Sequence, residues 1–292
     1  MPGPLLEIRD CCRNFVVDRS LTVEAVRHFS LTLRPGEIYG LVGESGCGKS
    51  TLARTIIGVY PVSSGEIWFQ GLKISDRSVL RRHRREVRRG MQMIFQDSSA
   101  ALNPVMSVEE ILAEPLEVWG LLPRGKERRE VLERLLHRVG MDASALCRQP
   151  AELSGGQRQR VAIARAVAVH PELVIADEPV ASLDVSMQAQ IVTLFQQIQQ
   201  EQGFSFLYIS HDLAMVRYLC DRVGVMRAGR LVEEAETDEL FAHPCHAYTR
   251  VLLSAMPEPD PRYERARTIL SYDEEELGTT FEEVSPGHRV LR

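Results

Sequence analysis

The chain has 292 residues, 44% of them apolar, and a formal net charge of −5. This length predicts one large domain with an appendage, and the acidic balance argues against nucleic acid as a partner. No apolar run approaches ~20 residues, so we expect no transmembrane span, and the first residues lack the basic and apolar layout of a signal peptide.

The first elements predict a β layer followed by a nucleotide-binding unit. Residues 5–39 alternate short β-like runs with turns, which is typical of an antiparallel β layer. Residues 37–42 form a short apolar run that predicts a buried strand, and residues 51–59 predict the helix that follows it. Residues 66–70 add another predicted strand.

The segment between the strand at 37–42 and its helix, called the phosphate loop below, spans residues 43–50 and matches the pattern G-x-x-x-x-G-K-[ST]. Backbone N–H groups of such a loop wrap a β-phosphate, Lys49 would reach the β- and γ-phosphates, and the Ser50 hydroxyl would bind Mg²⁺. By itself the pattern does not separate a kinase, a GTPase and a transport ATPase. The predicted nucleotide-binding residues are Gly43, Glu44, Ser45, Gly46, Cys47, Gly48, Lys49, Ser50 and Thr51.

The six cysteines include no C-x-x-C pair, which predicts reduced thiols in a cytosolic protein rather than a disulfide framework or a zinc site. Cys47 lies inside the phosphate loop, where a small side chain suits a tight turn. A thiol at a helix N-terminus can also have a lowered pKa. We therefore expect alkylation of Cys47 to inhibit ATP hydrolysis and bound ATP to protect it.

The middle of the chain is predicted to be mainly helical, with helices over residues 108–118 and 126–139. Before them, residues 91–95 predict an apolar strand that ends at Gln96, whose amide would then reach Mg²⁺ and an attacking water. The arginine-rich run 81–89 lacks interleaved aromatic residues and is interpreted as a solvated helix face. A weaker alternative is a contact with anionic lipid headgroups or an acidic partner.

The signature segment, residues 153–157 (Leu-Ser-Gly-Gly-Gln), predicts a second anion site. Ser154 can cap a helix that begins at this point and continues through the run 158–169, and the bare backbone of Gly155 and Gly156 can approach a ligand closely. The N-terminus of that helix would attract a phosphate. The pattern does not say whose phosphate it binds.

Residues 173–178 predict an apolar strand that ends in two carboxylates, Asp177 and Glu178. Because the carboxyl ends of strands in an open α/β sheet face the ligand crevice, Asp177 would hold Mg²⁺ and Glu178 would polarise the attacking water. His211 follows the strand predicted over residues 206–210, where it would contact a γ-phosphate. Residues 222–235 predict a hairpin that turns at 227–230.

In this order the motifs resemble those of the ATP-binding subunits of ABC transporters. The resemblance implies Walker A at 43–50, the Q-loop at Gln96, the signature at 153–157, Walker B at 173–178, the D-loop at 182–184 and the H-loop at His211. It further implies that Phe15 stacks on adenine. The implied fold is an α/β P-loop ATPase with a mixed central sheet, an antiparallel β layer and an inserted helical subdomain near 97–170.

In that family the signature contacts the ATP held by Walker A of a facing subunit, so two ATP molecules are sandwiched in a head-to-tail dimer. For this chain the resemblance gives Ser154, Gly155, Gly156, Gln157 and Asp184 as residues of the composite site. The implied cofactors are ATP and Mg²⁺. A lone copy would then bind ATP but hydrolyse it poorly.

Residues 94–97, 101–104, 243–250 and 285–288 are similar to segments of the peptide/nickel importer branch, most of all to its F-type oligopeptide and dipeptide permease subunits. This divides the chain into an ATPase domain, 1–242, and a C-terminal extension, 243–292. Ala247 departs from the proline usual in the branch. Many relatives carry later cysteines that hold an iron–sulfur cluster, but no cysteine follows Cys245, so no cluster is expected.

The resemblance also implies partners: a second ATPase subunit, expected to be a D-type paralogue, two membrane permease subunits and an extracytoplasmic solute-binding protein. It places the chain peripherally at the cytoplasmic face of the membrane. Peptides are the leading solutes, with nickel, glutathione or another small solute as alternatives. The segment 97–119 would pass the motion of the ATPase to a permease subunit, and the acidic run 273–276 is expected to be a solvated tail.

Two other classes of protein were weighed. A soluble ABC ATPase acting on DNA would carry a long coiled coil between Lys49 and Asp177 or a zinc motif, and the sequence has neither. A regulatory subunit without catalysis would not need Gln96, Glu178 and His211 together.

Overall fold

The computed structural model describes residues 3–18, 21–256, 270 and 278–292. The acidic run 273–276 lies outside these residues. In the described part of the chain the strands are β1 (Leu6–Val16), β2 (Thr22–Leu33), β3 (Ile38–Val42), β4 (Ser64–Phe69), β5 (Leu72–Lys73), β6 (Met91–Ile94), β7 (Leu173–Asp177), β8 (Ser205–Ile209), β9 (Arg222–Arg227), β10 (Arg230–Glu236), β11 (Phe281–Ser285) and β12 (His288–Leu291).

The helices surround two sheets formed by these strands. They are α1 (Lys49–Ile56), α2 (Arg77–Arg82), α3 (Arg84–Gly90), α4 (Ser98–Ala101), α5 (Val108–Val118), α6 (Lys126–Arg138), α7 (Gly155–Val167), α8 (Val185–Gln202), α9 (Leu213–Leu219), α10 (Thr237–Ala242) and α11 (Ala247–Ser254). No helix of the described residues is long and apolar enough to cross a membrane.

The main sheet is mixed, in the order β11-β12-β10-β9-β3-β8-β7-β6. Strands β6, β7, β8, β3 and β9 pair in parallel, whereas β9, β10, β12 and β11 pair antiparallel. The second sheet is antiparallel, in the order β2-β1-β4-β5, as predicted for the β layer. The mixed sheet, the antiparallel layer and the helices confirm the expected fold class.

The parallel strands are buried on both faces, which explains why they are continuous apolar runs. Side chains alternate between the two cores: Val174 and Phe206 pack into the core shared with α5 to α8, while Ile175 and Leu207 pack into the core shared with α1 and the β layer. Because these strands run parallel, the polar residue after each strand lies at the same edge of the sheet.

Between β6 and β7 the chain is helical, with α4 to α7 and two short 3₁₀ turns. The helix predicted over residues 108–118 is confirmed as α5, which begins at a capping box formed by Ser107 and Glu110. The arginine-rich run 81–89 is divided between α2 and α3, because His83 leaves the helical conformation. Its arginines are all exposed, His83 is half-buried, and Val87 alone in the run is buried.

The C-terminal hairpin of β11 and β12 does not form a separate layer. It adds two strands to the edge of the main sheet, where Glu233 pairs with Val290 and Glu234 with Arg289. The end of the chain is therefore continuous with the sheet that carries the predicted site.

Candidate nucleotide-binding site

The phosphate loop connects β3 to α1 and holds its lysine inside the fold. Nζ of Lys49 donates hydrogen bonds to the carbonyl oxygens of Gly43 at 2.7 Å and Glu44 at 2.8 Å, and the side chain is 4% exposed. Gly48 precedes the helix with a φ of 110°, and a Cβ there would lie 2.2 Å from the carbonyl oxygen of Ala25. The helix begins at Lys49, two residues before the predicted start at Thr51, because Gly48 supplies the left-handed cap.

A cleft of about 290 Å³ opens over this loop. Loop amides and the N-terminus of α1 give it a positive potential, which suits a phosphate chain. Its lining comes from β2, the loop, two strand ends and the turn between β9 and β10: Val23, Glu24, Ala25, Arg27, Ser45, Gly46, Cys47, Gly48, Lys49, Ser50, Thr51, Gln96, Glu178, Ala228 and Gly229.

Ser50, which lines the cleft, contacts the buried Asp177. The Ser50 hydroxyl donates to Oδ1 of Asp177 at 2.8 Å, whereas the buried Oδ2 of Asp177 has no hydrogen-bond partner. Burial raises the pKa of this carboxyl group, and the bond from Ser50 opposes the shift. An unpaired carboxylate oxygen beside a hydroxyl is a donor set that fits a hard cation such as Mg²⁺.

Gln96, Glu178 and His211 follow the neighbouring strands β6, β7 and β8 and converge on one atom. Nε2 of Gln96 donates to Oε2 of Glu178 at 3.1 Å, and Nδ1 of His211 lies 3.4 Å from the same oxygen. Glu178 is mostly shielded, with 14% of its side chain exposed, while His211 is 58% exposed. The structure thus brings the three predicted catalytic side chains together at the edge of the cleft.

The backbone of Glu178 is strained. Its φ is 46°, a left-handed value that residues with a Cβ rarely adopt. The conformation is held by a hydrogen bond from the Glu178 N–H to the carbonyl oxygen of Ile209 at 2.9 Å. This left-handed turn at the end of β7 could not be predicted from the residue type, since glutamate does not favour it.

The signature segment caps helix α7. Ser154 Oγ accepts the N–H of Gln157 at 3.3 Å, and Oε1 of Gln157 accepts the N–H of Ser154 at 3.0 Å. The predicted cap at Ser154 is confirmed, because this capping box starts the helix at Gly155; α7 ends at Val167, two residues before the predicted end at Val169.

The two signature glycines have different surroundings. A Cβ on Gly155 would have ordinary contact with Leu183 at 3.5 Å, whereas a Cβ on Gly156 would lie 2.1 Å from Cε of Met187 on α8. Gly156 is buried, so helix packing as well as ligand approach explains the absence of a side chain there.

Asp184 caps α8, with Oδ1 accepting the N–H of Met187 at 2.9 Å and the hydroxyl of Ser186 at 2.8 Å. Its side chain is exposed, as is that of Ser154. Neither Asp184 nor residues 153–157 belong to the described residues that line the cleft. Within this chain the signature segment therefore lies outside the cleft over the phosphate loop.

Phe15 lies near the mouth of the cleft rather than in its lining. It pairs with Val23 across β1 and β2, and Val23 is a lining residue. The guanidinium of Arg13 lies 4.3 Å from the centroid of the Phe15 ring, and Tyr60 meets the ring nearly perpendicularly at 5.2 Å. The predicted stacking on adenine stays a prediction.

The expectation of a reactive Cys47 assumed a lowered thiol pKa, and this assumption was wrong. The side chain is 9% exposed, and burial raises the pKa of the thiol more than Lys49 lowers it. The helix N-terminus and the lysine do not compensate for the loss of water around the sulfur.

The sequence predicted no role for two groups that contact the phosphate loop. The N–H of Gly229 donates to the carbonyl oxygen of Cys47 at 2.9 Å, and the N–H of Glu44 donates to the hydroxyl of Tyr248 at 3.1 Å. The hairpin turn at 227–230 and the run 243–250 were both noticed in the sequence, but neither pattern indicates contact with a loop almost two hundred residues away.

Comparisons with known proteins agree with this geometry. Residues 26–181 match the family model described as ABC transporter, and residues 232–281 match the model described as the C-terminal region of oligopeptide/dipeptide transporters. The oligopeptide transport ATP-binding protein OppF of Bacillus subtilis (strain 168) is 50% identical, and the match covers 100% of this chain and 97% of that protein. The dipeptide transport ATP-binding protein DppF of Lactococcus lactis subsp. cremoris (strain MG1363) is 43% identical, with coverage of 99% and 94%.

Solved structures show the same fold. The ATP-binding cassette MJ0796, in a dimeric post-hydrolysis state bound to ADP and Pi, aligns with a TM-score of 0.71 at 26% identity over 80% of this chain and 98% of that one. The cbiO1 protein of Clostridium perfringens, part of the complex cbiONQ, aligns with a TM-score of 0.70 at 28% identity over 82% and 92%. The region matched by the first family model includes the phosphate loop, Gln96, the signature segment, Asp177 and Glu178.

Proposed function

Since the chain belongs to the ABC transporter family of ATP-binding subunits, an ATPase coupled to transport, we propose that it energises the import of oligopeptides or dipeptides. The named transport functions of the OppF and DppF relatives support this solute class, as does the match at residues 232–281. These similarities favour peptides over nickel, glutathione or another small solute.

ATP would bind with its phosphates in the cleft over the phosphate loop. Lys49 would place its charge against the β- and γ-phosphates, and the loop amides would donate to the phosphate oxygens. Ser50, Asp177 and Gln96 would hold Mg²⁺, which neutralises charge on the phosphates when bound. Phe15 would stack on adenine.

Glu178 would act as the general base for the attacking water. The convergence of Gln96 and His211 on its Oε2 atom is the observation that carries this proposal, because two side chains far from Glu178 in sequence contact the same carboxylate oxygen. Gln96 would orient the carboxylate and the water. His211, which is more exposed, would turn to the γ-phosphate.

A second ATPase subunit would complete the site. The signature segment forms the N-terminus of α7 outside this chain's own cleft, with Ser154 exposed and with Gly155 and Gln157 half-buried. Asp184 caps α8, which packs against α7. We propose that this surface meets the γ-phosphate held by a facing subunit, a D-type paralogue, in a head-to-tail dimer. The dimeric state of the similar MJ0796 cassette supports this arrangement.

The chain would associate peripherally with two permease subunits at the cytoplasmic face of the membrane. A groove of about 740 Å³ between α2 and α3 on one side and α5 and α7 on the other is a suitable docking place for them. Five arginines line it, together with apolar side chains that include Phe95, Pro115 and Val118; the arginines are Arg77, Arg81, Arg84, Arg88 and Arg165. An extracytoplasmic solute-binding protein would supply the peptide.

The proposed division of the chain is an ATPase domain over residues 1–242, with a helical subdomain near 97–170, and an extension over 243–292. The extension would bind no iron–sulfur cluster. Among the described residues, the side chains of Glu233, Cys245 and His288 approach one another within 4.8 Å. Hydrogen bonds to the carboxylate of Glu233 join the three residues to one another. A measurable content of iron and acid-labile sulfide in the purified protein would contradict the proposal that no cluster is bound.

Reconstitution tests the function directly. The chain, a D-type partner and two permease subunits are placed in proteoliposomes with the binding protein, and uptake of a labelled tripeptide and of labelled nickel is measured. We expect peptide uptake that requires ATP and stimulates ATP hydrolysis. Nickel uptake without peptide uptake would disprove the proposed solute class.

A further inference from the structure

Helix α11 of the C-terminal extension contacts the phosphate loop through one hydroxyl group. The Tyr248 hydroxyl accepts a hydrogen bond from the Glu44 N–H at 3.1 Å. Tyr248 is 1% exposed and packs in the core formed by α5 to α8, whereas Glu44 lies at the exposed mouth of the loop. The two residues are separated by 204 positions in sequence, so the contact depends on the tertiary fold.

The Tyr248 hydroxyl is a neutral acceptor. Burial raises its pKa to about 12, so the group stays protonated across the physiological range. A neutral phenol can hold a loop amide without repelling the phosphates of a nucleotide, which a carboxylate in its place would do.

Tyr248 is held in place from the side of the main sheet. Its own N–H donates to Nδ1 of His246 at 3.1 Å, which caps α11. The buried carboxylate of Glu233 on β10 accepts the N–H of His246 at 3.0 Å and that of Cys245 at 2.7 Å. The same carboxylate lies 2.8 Å from Nε2 of His288 on β12. One buried glutamate thus fastens both α11 and the terminal hairpin to the sheet.

The phosphate loop is held at a second point by the turn between β9 and β10. The Gly229 N–H donates to the carbonyl oxygen of Cys47 at 2.9 Å. Arg227 from the same turn lies 5.1 Å above the Tyr248 ring. The loop is therefore anchored at Glu44 and at Cys47, and the two residues between these anchors, Ser45 and Gly46, line the cleft.

We infer that Tyr248 is a positioning residue for nucleotide binding, which makes the C-terminal extension part of the phosphate-binding apparatus. It acts through the Glu44 amide and touches neither ATP nor the reacting atoms. The inference rests on the proposed function, in that the phosphate loop binds ATP. Losing the contact removes the partner of the Glu44 amide and leaves this part of the loop less ordered, so ATP binding must then order it.

The contact between Tyr248 and Glu44 also couples the conformation of α11 to that of the phosphate loop, and the coupling acts in both directions. If α11 favours the loop conformation that binds ATP, then ATP must stabilise α11 by the same factor, because linkage is reciprocal. Bound ATP is therefore expected to slow hydrogen exchange of backbone amides in α11, although no nucleotide atom reaches that helix.

The test is the variant Tyr248→Phe in the full chain, which keeps the ring and removes only the hydroxyl. We expect the dissociation constant for ATP to rise by about two- to tenfold, the factor that corresponds to the net value of one hydrogen bond. The matched control is Tyr39→Phe, which removes a fully buried hydroxyl that donates to Glu234 at 2.8 Å and does not contact the loop. It should leave the dissociation constant unchanged.

Hydrogen exchange separates positioning from a general loss of stability. In Tyr248→Phe, exchange at residues 43–46 should be faster without nucleotide, and protection of α11 by ATP should be lost. An unchanged ATP dissociation constant, or equal effects of Tyr39→Phe and Tyr248→Phe, overturns the inference. If the unmodified chain itself fails to bind ATP, the proposed function is wrong instead, so the two failures are distinguishable.

Discussion

The side-chain amide of Gln96 donates to Oε2 of Glu178 at 3.1 Å, although 82 positions separate the two residues in sequence. They meet because β6 and β7 are adjacent parallel strands, whose carboxyl ends lie at the same edge of the sheet. His211, at the end of the next strand, contacts the same oxygen. A carboxylate surrounded in this way is oriented before any substrate arrives.

Replacing Glu178, the proposed general base, should lower the rate of ATP hydrolysis without changing the affinity for ATP. In the assembled transporter Glu178→Gln should lower kcat for ATP hydrolysis by about 100-fold or more, because an amide cannot accept the proton of the attacking water. The dissociation constant for ATP should be unchanged. Glu130→Gln on the exposed side of α6 is the matched control and should behave as the unmodified protein. Normal turnover in Glu178→Gln would remove Glu178 from the catalytic role.

The left-handed backbone at Glu178 predicts that glycine stabilises the protein more than alanine does at this position, the reverse of the order in a helix. Glu178→Gly should be more stable than Glu178→Ala by about 1 kcal/mol, because glycine adopts a φ of 46° without steric cost. Gln197, exposed in the interior of α8, is the control, where glycine should be less stable than alanine by about 1 kcal/mol. Urea denaturation of the four variants measures both differences. If alanine were more stable than glycine at both positions, the backbone of Glu178 would not be strained.

Ser154 can be tested as a ligand-binding residue apart from its role as a helix cap. Asparagine caps helices as well as serine does, so Ser154→Asn should change the free energy of unfolding by less than about 0.5 kcal/mol. Its larger side chain should nevertheless obstruct the γ-phosphate of the ATP held by the partner subunit. The rate of ATP hydrolysis by the assembled complex should fall at least tenfold, which corresponds to a rise of about 1.4 kcal/mol in activation free energy.

The matched control for that variant is Ser107→Asn, which alters the equivalent cap of α5. It should affect neither stability nor hydrolysis strongly. ATP binding to the isolated chain should be normal in both variants. Weakened binding in isolated Ser154→Asn would place the signature segment in the chain's own site and contradict the composite arrangement.

The burial of Cys47 predicts slow alkylation that depends on pH. Because the folded-state pKa lies above the ordinary value of 9.0, less thiolate is present at neutral pH, and the reaction rate should keep rising beyond pH 9. The exposed Cys147 should react first at pH 7.5. Mass spectrometry of peptides after timed treatment measures both rates, and faster modification of Cys47 than of Cys147 would contradict the predicted order.

Phe15 is tested through the affinity for ATP. If its ring stacks on adenine, Phe15→Ala should raise the dissociation constant by about three- to tenfold, as expected for loss of one aromatic contact. Phe15→Tyr keeps the ring and should bind ATP normally. Fluorescence titration with ATP and with inorganic triphosphate tests the contact, since only ATP binding should weaken in Phe15→Ala. Equal weakening for both ligands would place the effect on the loop instead of on the base.

The sequence alone determined the phosphate loop, the two carboxylates after β7, and the order of the motifs. These features depend on contiguous residues: glycines where the backbone needs them, an apolar run long enough for a buried strand, and polar residues directly after it. Since parallel strands share one carboxyl edge, the placement of Gln96, Glu178 and His211 near one another also followed from the predicted strands.

Only the tertiary structure decided the features that arise from contacts between distant segments. The left-handed φ of Glu178 is held by β8, and the shielding of Cys47 comes from the surrounding core. The close approach of Gly156 to Met187 depends on how α7 packs on α8. The bond between Tyr248 and Glu44 joins two segments that are 204 positions apart in sequence. Local sequence rules constrain the backbone conformation and the capping of helices. The burial of a side chain and its hydrogen bonds to distant residues depend on which surfaces pack together, and the whole fold decides that.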